Sequence, residues 1–470
     1  MLKYLDMKKF VIKSILWVVG ISIGYGLYQM GVRQWPRKLP TQPVALRSAV
    51  QDILTQKCAV CHDTERDYPL LSKIPLLGDL ISENHRQATR HWKPFDRSYL
   101  GPSATEGQRI DAPTPLTVFT KLSHALSENL MPPREHLILC WGSWISPSEK
   151  QILNEWIKSQ RGEWLSQWGI TNGMEFPIQP IPTSIPHNEA KAALGEKLFY
   201  DKRLSSDGAM SCATCHDLQK GGDDAQRLSV GDGGQSTVVN TPTVLNAVFN
   251  IRQFWDGRAA DLAEQAHQQL TSPDAMGVTN WTAVAERLAS DASFKTNFLA
   301  VYPLGFTEKN ICSAIAEYEK RLITPGSRFD QYLQGKKGVL STEENKGYLT
   351  FRKFACASCH NGPSMGGQSF EYADLKDNYF KGRVLNACDK GLMNFSQVPR
   401  DDKSFKVPTL RNVEMSEPYF HDGSKTTLED AVAAILTYQV GKPYTDEDIH
   451  QITTFLKTLT GNLFGKPLQK

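Results

Sequence analysis

The chain has 470 residues, too many for one compact core, so its length excludes a single domain and predicts two to four. Charge is nearly balanced, 53 Lys and Arg against 50 Asp and Glu for a net +3, with no long block of one sign. That balance excludes a nucleic-acid footprint and a charged tail.

The first predicted element is the apolar run FVIKSILWVVGISIGYGLYQM at residues 10–30, long enough to cross a bilayer as a helix. Lys3, Lys8, Lys9 and Lys13 precede or enter it, and Arg33, Arg37 and Lys38 follow it. No small-x-small cleavage site comes after it, so the pattern predicts a retained single-pass anchor over 1–34, not a signal peptide. Pro36, Pro40 and Pro43 then make a stiff spacer.

The next unit is expected over 45–168. VALRSAVQDILTQKCAVCH has helical apolar spacing leading into Cys58, Cys61 and His62. SPSEKQILNEWIKSQ begins with a Ser cap, Pro and Glu, and predicts a closing amphipathic helix from Ser146. Past it, FPIQPIPTSIP holds too many prolines for a regular element and reads as a linker or a wrapping strand. The chain then repeats itself. A Glu/Lys-rich helix, an aromatic and a Cys-x-x-Cys-His motif occur before Cys212, Cys215 and His216, and again before Cys356, Cys359 and His360. This predicts a duplicated module, with domains over 176–335 and 336–470 and little strand alternation between them. The fold class expected is mainly α: a transmembrane helix followed by three cytochrome c-like haem domains.

Six of the nine cysteines fall into the three motifs CAVCH, CATCH and CASCH, the spacing that attaches a c-type haem through two thioethers and one axial histidine. A thioredoxin-like pair or a zinc half-site would need a βαβ context or a second CxxC nearby, and neither is evident. Three covalently bound haems c are therefore expected. Cys140, Cys312 and Cys388 are left over and read as buried packing. Haem attachment of this type takes place outside the bacterial cytoplasmic membrane, which orients the anchor: the chain after about Gln34 is expected in the periplasm. Opposite His62, the Met of ENLMPPREH, Met131, is the expected second ligand. A thioether there keeps iron six-coordinate and suits electron transfer.

From about Ala190 the chain closely resembles the bacterial di-haem cytochrome c peroxidases, over roughly 280 residues in order. The resemblance is carried by LGEKLFYDKRLSSDGAMSCATCHD, NTPTVLNAVFNIRQFWDGRAADLAEQA, FACASCHNG, FKVPTLRNVEMSEPYFHDGS and LTYQVG. With an anchor and a further haem domain in front, the whole chain resembles a membrane-bound tri-haem quinol peroxidase. The resemblance implies that the His216 haem is peroxidatic and that the His360 haem feeds it. It implies Gln265 as the distal glutamine, Trp255 as the tryptophan between the haems, and a calcium site from Asn240 with the carbonyls of Ser416 and Pro418.

Three positions depart from the family pattern. Asp232, in SVGDGG, stands where a loop histidine often closes the peroxidatic haem, so the far side of the His216 haem is expected to carry no protein ligand. The family's acid–base glutamate falls on Ala275, and Asp274, one position earlier, is the expected replacement. The family's axial methionine for the His360 haem falls on Ile435, with Met415, Met393 and Tyr438 as the substitutes in reach. His267, the nearest spare histidine, reads as surface or core.

The expected function is reduction of hydrogen peroxide to water at the inner membrane, with electrons from membrane quinol or from a soluble cytochrome or cupredoxin. Two other readings are a non-catalytic three-haem wire and a di-haem enzyme that oxidises a partner protein. The partner-protein reading draws on the missing methionine, since such enzymes use tyrosine there.

Overall fold

A computed structural model describes residues 39–40, 42–59, 115–131, 143–166 and 177–469. The expected anchor at 10–30 lies outside them, as do Cys61, His62 and Cys140. Among the described residues no helix is long and apolar enough to cross a membrane. The chain divides into two compact units, residues 1–108 with 122–161, and residues 109–121 with 162–470.

In the smaller unit, α1 (Pro43–Ile53) starts on a proline that presets its first turn and continues through a π-helical turn, Leu54–Cys58. It buries Val50, Ile53 and Leu54 and so delivers Cys58 from a packed helix. Helix α2 (Pro115–Ser127) spans the division between the units. It ends four residues before Met131, which is half-buried. Helix α3 (Pro147–Ser166) begins at the expected Ser146. The Ser146 hydroxyl accepts from the Glu149 N–H at 3.2 Å and the Glu149 carboxylate accepts from the Ser146 N–H at 2.8 Å, a reciprocal capping box. Ile152, Leu153, Trp156 and Ile157 form its buried stripe.

The larger unit repeats one device. Helix α4 (Glu189–Phe199), capped by Asn188, leads toward the Cys212 motif. A Cβ at Gly195 would lie 1.9 Å from the Ala314 carbonyl of a later helix, so glycine alone permits this approach. Helix α5 (Leu262–Thr271), α6 (Trp281–Ala289) and α7 (Ala292–Val301) start on Asp261, Asn280 and Asp291, each accepting a backbone N–H. Helix α8 (Glu308–Glu319) closes this half around Leu198, Leu270, Leu288, Phe298 and Ile315. After the short α9 (Arg328–Leu333), α10 (Thr342–Lys353) leads toward the Cys356 motif. Gly347 on it stands 2.1 Å, by the same measure, from the Gln451 carbonyl. That carbonyl belongs to α12 (Asp446–Leu456), which follows α11 (Leu428–Ile435). Both helices that precede a haem motif in this unit thus meet a closing helix through a glycine. Phe329 packs edge-on against Tyr348 and Phe455 in the second core, at 4.9 and 4.8 Å between centroids.

Strands are short, as the lack of alternation predicts. β1 (Phe370–Tyr372) pairs antiparallel with β2 (Ser404–Lys406), Phe370 opposite Lys406 and Tyr372 opposite Ser404. The proline-rich stretch wraps: residues 177–181 are buried, and the Pro177 carbonyl accepts from the Gly362 N–H at 3.1 Å. Arg411 fastens it. This guanidinium, wholly buried with Asp330 at 2.8 Å, also donates to the carbonyls of Gln179 and Pro363 and to the Ser327 hydroxyl. Removing one partner of such a pair leaves an uncompensated charge, so Asp330→Asn is expected to destabilise the larger unit by about 3–5 kcal/mol. Urea denaturation of the holoprotein checks it; a loss below about 1 kcal/mol would show that neutral acceptors alone satisfy Arg411.

Candidate active site

The two haem motifs of the larger unit orient their histidines in the same way. At the first, Ser211 begins a single helical turn, Cys212–Cys215, and the chain returns so that His216 Nδ1 lies 2.8 Å from the Gly222 carbonyl. Gly222 has φ +75°, and a Cβ there would meet Leu245 Cγ at 2.6 Å, so the residue that holds His216 has to be glycine. At the second, His360 Nδ1 lies 3.0 Å from the Met365 carbonyl, and the Pro408 carbonyl also faces the ring. In each case Nδ1–H donates to a carbonyl, which sets the tautomer and leaves Nε2 for a metal. Burial lowers both imidazole pKa values, that of His360 to about 4, so both rings are in the neutral, ligating form.

The thiols fit the same group. All seven described cysteines are free, and burial raises Cys356 and Cys359 to about 12 and lifts Cys212 and Cys215 above the ordinary range. Protonated, unpaired thiols with two residues between them, followed by a neutral imidazole, suit thioether attachment of haem c. Beside His216 a cavity of about 420 Å³ is lined by Thr214, Leu218, Lys220, Met415 and Glu417 among others. Met415, one of the three substitutes, thus lines this cavity, and its carbonyl packs on Gly221. Of the other substitutes, Met393 opens a short helical turn. Tyr438 sits in a π-helical turn after α11 with its ring 5.3 Å from that of Tyr379. Ile435 is the last residue of α11.

Two loops carrying the departures pack on each other. The Asp232 N–H donates to the Ala275 carbonyl at 2.6 Å, and Gly231 lies so close to the Asp274 carbonyl that a Cβ would stand 2.2 Å from it. The Asp232 carboxylate is turned toward Gly277. Asp274 accepts a short hydrogen bond from the Ser272 hydroxyl, while Ala275 is buried. Gln265 is half-buried on α5. His267, two positions on, points elsewhere: its ring stacks on Trp281 at 6.0 Å and pairs with Glu308.

A third cluster joins the two motifs. Trp255 Nε1 donates to the Asn240 carbonyl at 2.9 Å, and the Asn240 N–H donates to the His421 carbonyl at 2.8 Å. Asn240 Nδ2 donates to the Gln226 carbonyl at 2.8 Å, and among the described residues no hydrogen bond engages its Oδ1. His421, buried, lies edge-on to Trp255 at 6.5 Å, stacks on Phe405 at 4.2 Å and bonds Asp389 Oδ1 through Nε2 at 2.8 Å. Phe254 and Phe420, the residues just before Trp255 and His421, have φ of +67° and +72°. Among the described residues no cluster of three or more His, Cys, Asp or Glu is placed to hold a metal ion.

Sequence reasoning passed over several of these groups. His421 served only as a landmark in PYFHDG, and its Asp389 partner lies 32 positions away. Glu319, at the end of α8, carries no motif at all. Its carboxyl is 5% exposed, Oε2 has no hydrogen-bond partner, and it neighbours the thiols of Cys212 and Cys312.

Comparison with known proteins bears on the same regions. Residues 189–338 match the family model described as di-haem cytochrome c peroxidase, and residues 22–159 match one described as a haem-binding domain. The chain is 38% identical over 445 residues to cytochrome c peroxidase Ccp of Escherichia coli (strain K12), covering 94% of each. It is 42% identical over 288 residues to cytochrome c551 peroxidase of Nitrosomonas europaea, covering 61% of this chain and 84% of that one. Among solved structures, a MauG-like protein associated with microbial copper homeostasis is similar with a TM-score of 0.55 at 27% identity, over 63% of this chain and 95% of that one.

Glu319 yields a pH-dependent prediction. Burial raises its pKa to about 8, whereas an exposed glutamate titrates near 4.3. The folded state therefore keeps a proton that the unfolded state releases, and this contribution to stability is complete below about pH 4 and lost as pH rises through 8. Glu319→Gln should remove that slope and stabilise the holoprotein at pH 8 by up to about 5 kcal/mol relative to its effect at pH 4. Denaturation midpoints at the two pH values read it; parallel profiles for the two proteins would mean that Glu319 is ionised in the fold.

Proposed function

The chain belongs to the di-haem cytochrome c peroxidase family, and from that premise we propose a membrane-anchored, three-haem form of the enzyme supplied with electrons by quinol. As a c-type haem peroxidase it takes hydrogen peroxide as substrate: the O–O bond breaks, two electrons and two protons are taken up, and two waters leave. The finer reading is carried by one observation, a third attachment motif at Cys58, Cys61 and His62 standing between an apolar run at 10–30 and the peroxidase unit. An anchored chain with its own electron-entry domain over 45–168 has no need to wait for a soluble cytochrome. The domains at 176–335 and 336–470 then divide peroxide chemistry from electron supply, in the periplasm.

Haem c, when bound at the three motifs, supplies electron storage and the iron at which peroxide is reduced. Every other part falls to side chains. Met131 and His62 hold the entry haem, His360 the intermediate one and His216 the peroxidatic one. Trp255, fixed by the Asn240 carbonyl, provides the aromatic bridge across the seam. Gln265 donates a hydrogen bond that steers peroxide. Asp274, oriented by the Ser272 hydroxyl, takes the proton from one peroxide oxygen and returns it to the other. The Asp232 carboxylate is turned toward Gly277, which supports a far face of His216 free of protein ligand. Asn240 Oδ1 with the carbonyls of Ser416 and Pro418 forms a calcium seat at the seam.

Full-length protein in liposomes, given a quinol and peroxide, should turn over steadily, and the resting oxidised sample should show one high-spin haem by EPR. Turnover only with a soluble cytochrome or cupredoxin would overturn the quinol reading. Three low-spin haems inert to peroxide in both oxidised and half-reduced samples would instead favour a wire. Asp274→Asn should lower kcat by about 10²–10⁴-fold at unchanged haem content; a loss below tenfold would move the acid–base role to another group.

A further inference from the structure

Among the described residues, strand β2 has two polar side chains with no hydrogen-bond partner, the fully buried Ser404 hydroxyl and the nearly buried Lys406 ammonium. The Lys406 side chain is 6% exposed, and among the described residues neither a carboxylate nor a hydrogen-bond acceptor meets its ammonium; burial alone pulls its pKa down to about 8. Ser404 is 0% exposed, and its Oγ has no partner. Two positions apart on a strand, these residues share one face, while Phe405 takes the other and stacks on His421. The strand also ties the two parts of the site together. The Lys406 N–H donates to the Trp255 carbonyl at 2.8 Å, and the chain runs on through Val407 to Pro408, whose carbonyl faces His360.

An ammonium withdrawn from water without a counter-ion is strongly disfavoured, and a hydroxyl buried without a partner adds a further cost. A carboxylate accepting from both relieves both. We propose that Lys406 and Ser404 seat a propionate of the haem ligated by His360, and that Lys406 is a positioning residue which raises that haem's potential. The inference rests on the reading that Cys356, Cys359 and His360 hold a haem c. A fixed positive charge near the porphyrin disfavours the oxidised iron. At an effective dielectric constant of about 20 and a separation of about 10 Å, the effect is on the order of tenfold in the redox equilibrium.

The test is a spectroelectrochemical titration of the full-length holoprotein and of its Lys406→Met, Lys406→Arg and Ser404→Ala variants. Haem is first counted against a Cys356→Ala/Cys359→Ala variant. An equal count in that variant would sink the underlying haem assignment and leave the Lys406 question distinguishable from it. In fully loaded Lys406→Met the His360 haem should shift about tenfold toward oxidised, with the other haems moved less than about threefold and most of the shift restored in Lys406→Arg. An unmoved His360 haem, or a larger shift at the His216 haem, overturns the proposal. If Lys406→Met fails to fold, Ser404→Ala decides: a shift of about twofold or more toward oxidised supports the seat, and none overturns it.

Discussion

The Arg411 guanidinium joins three segments that are far apart in the chain. It reaches the wrapping stretch at Gln179, the start of α9 at Ser327 and Asp330, and the loop after the CASCH motif at Pro363. A planar fork of five donors suits this task, since each N–H meets a separate acceptor at a set angle. The pair is not a large source of net stability, because taking two charges out of water offsets most of their attraction. Its effect is on register: the loop that carries His360 to the Met365 carbonyl is fixed to the loop that carries Pro408 and Leu410.

Around this anchor the two haem modules use one clamp and differ elsewhere. His216 is bonded to a carbonyl six residues on, and His360 to one five residues on. The near faces are thus alike, and any difference in chemistry has to arise on the far faces and in the seam. There the loops bearing Asp232 and Asp274 close on each other, whereas α11 ends at Ile435 and runs into a π-helical turn. The seam itself is built from Trp255, Asn240, His421 and β2, so it draws on both halves of the duplicated unit.

Much of this was legible in the sequence where the cause is local. The CxxCH spacing, the Ser146–Glu149 capping box and the helices before each motif depend on residues within a few positions of one another. The wrapping course of residues 177–181 follows from prolines that cannot join a regular element. What stayed hidden has causes at long range. Nothing near Asp330 announces Arg411, 81 positions on, and nothing near Lys406 shows that its side chain is buried without a partner. Nor does anything near Met415 show that it lines the cavity beside His216, 199 positions earlier in the chain.

Phe254 and Phe420 carry a last consequence. A bulky side chain at positive φ costs on the order of 1–3 kcal/mol and persists only where its surroundings over-determine the backbone. Trp255 and His421 each follow such a residue, so each ring hangs from a peptide with no relaxed alternative conformation. Were an electron to take the proposed route across the seam, it would cross two rings whose backbone supports are held in place by packing and not by local preference.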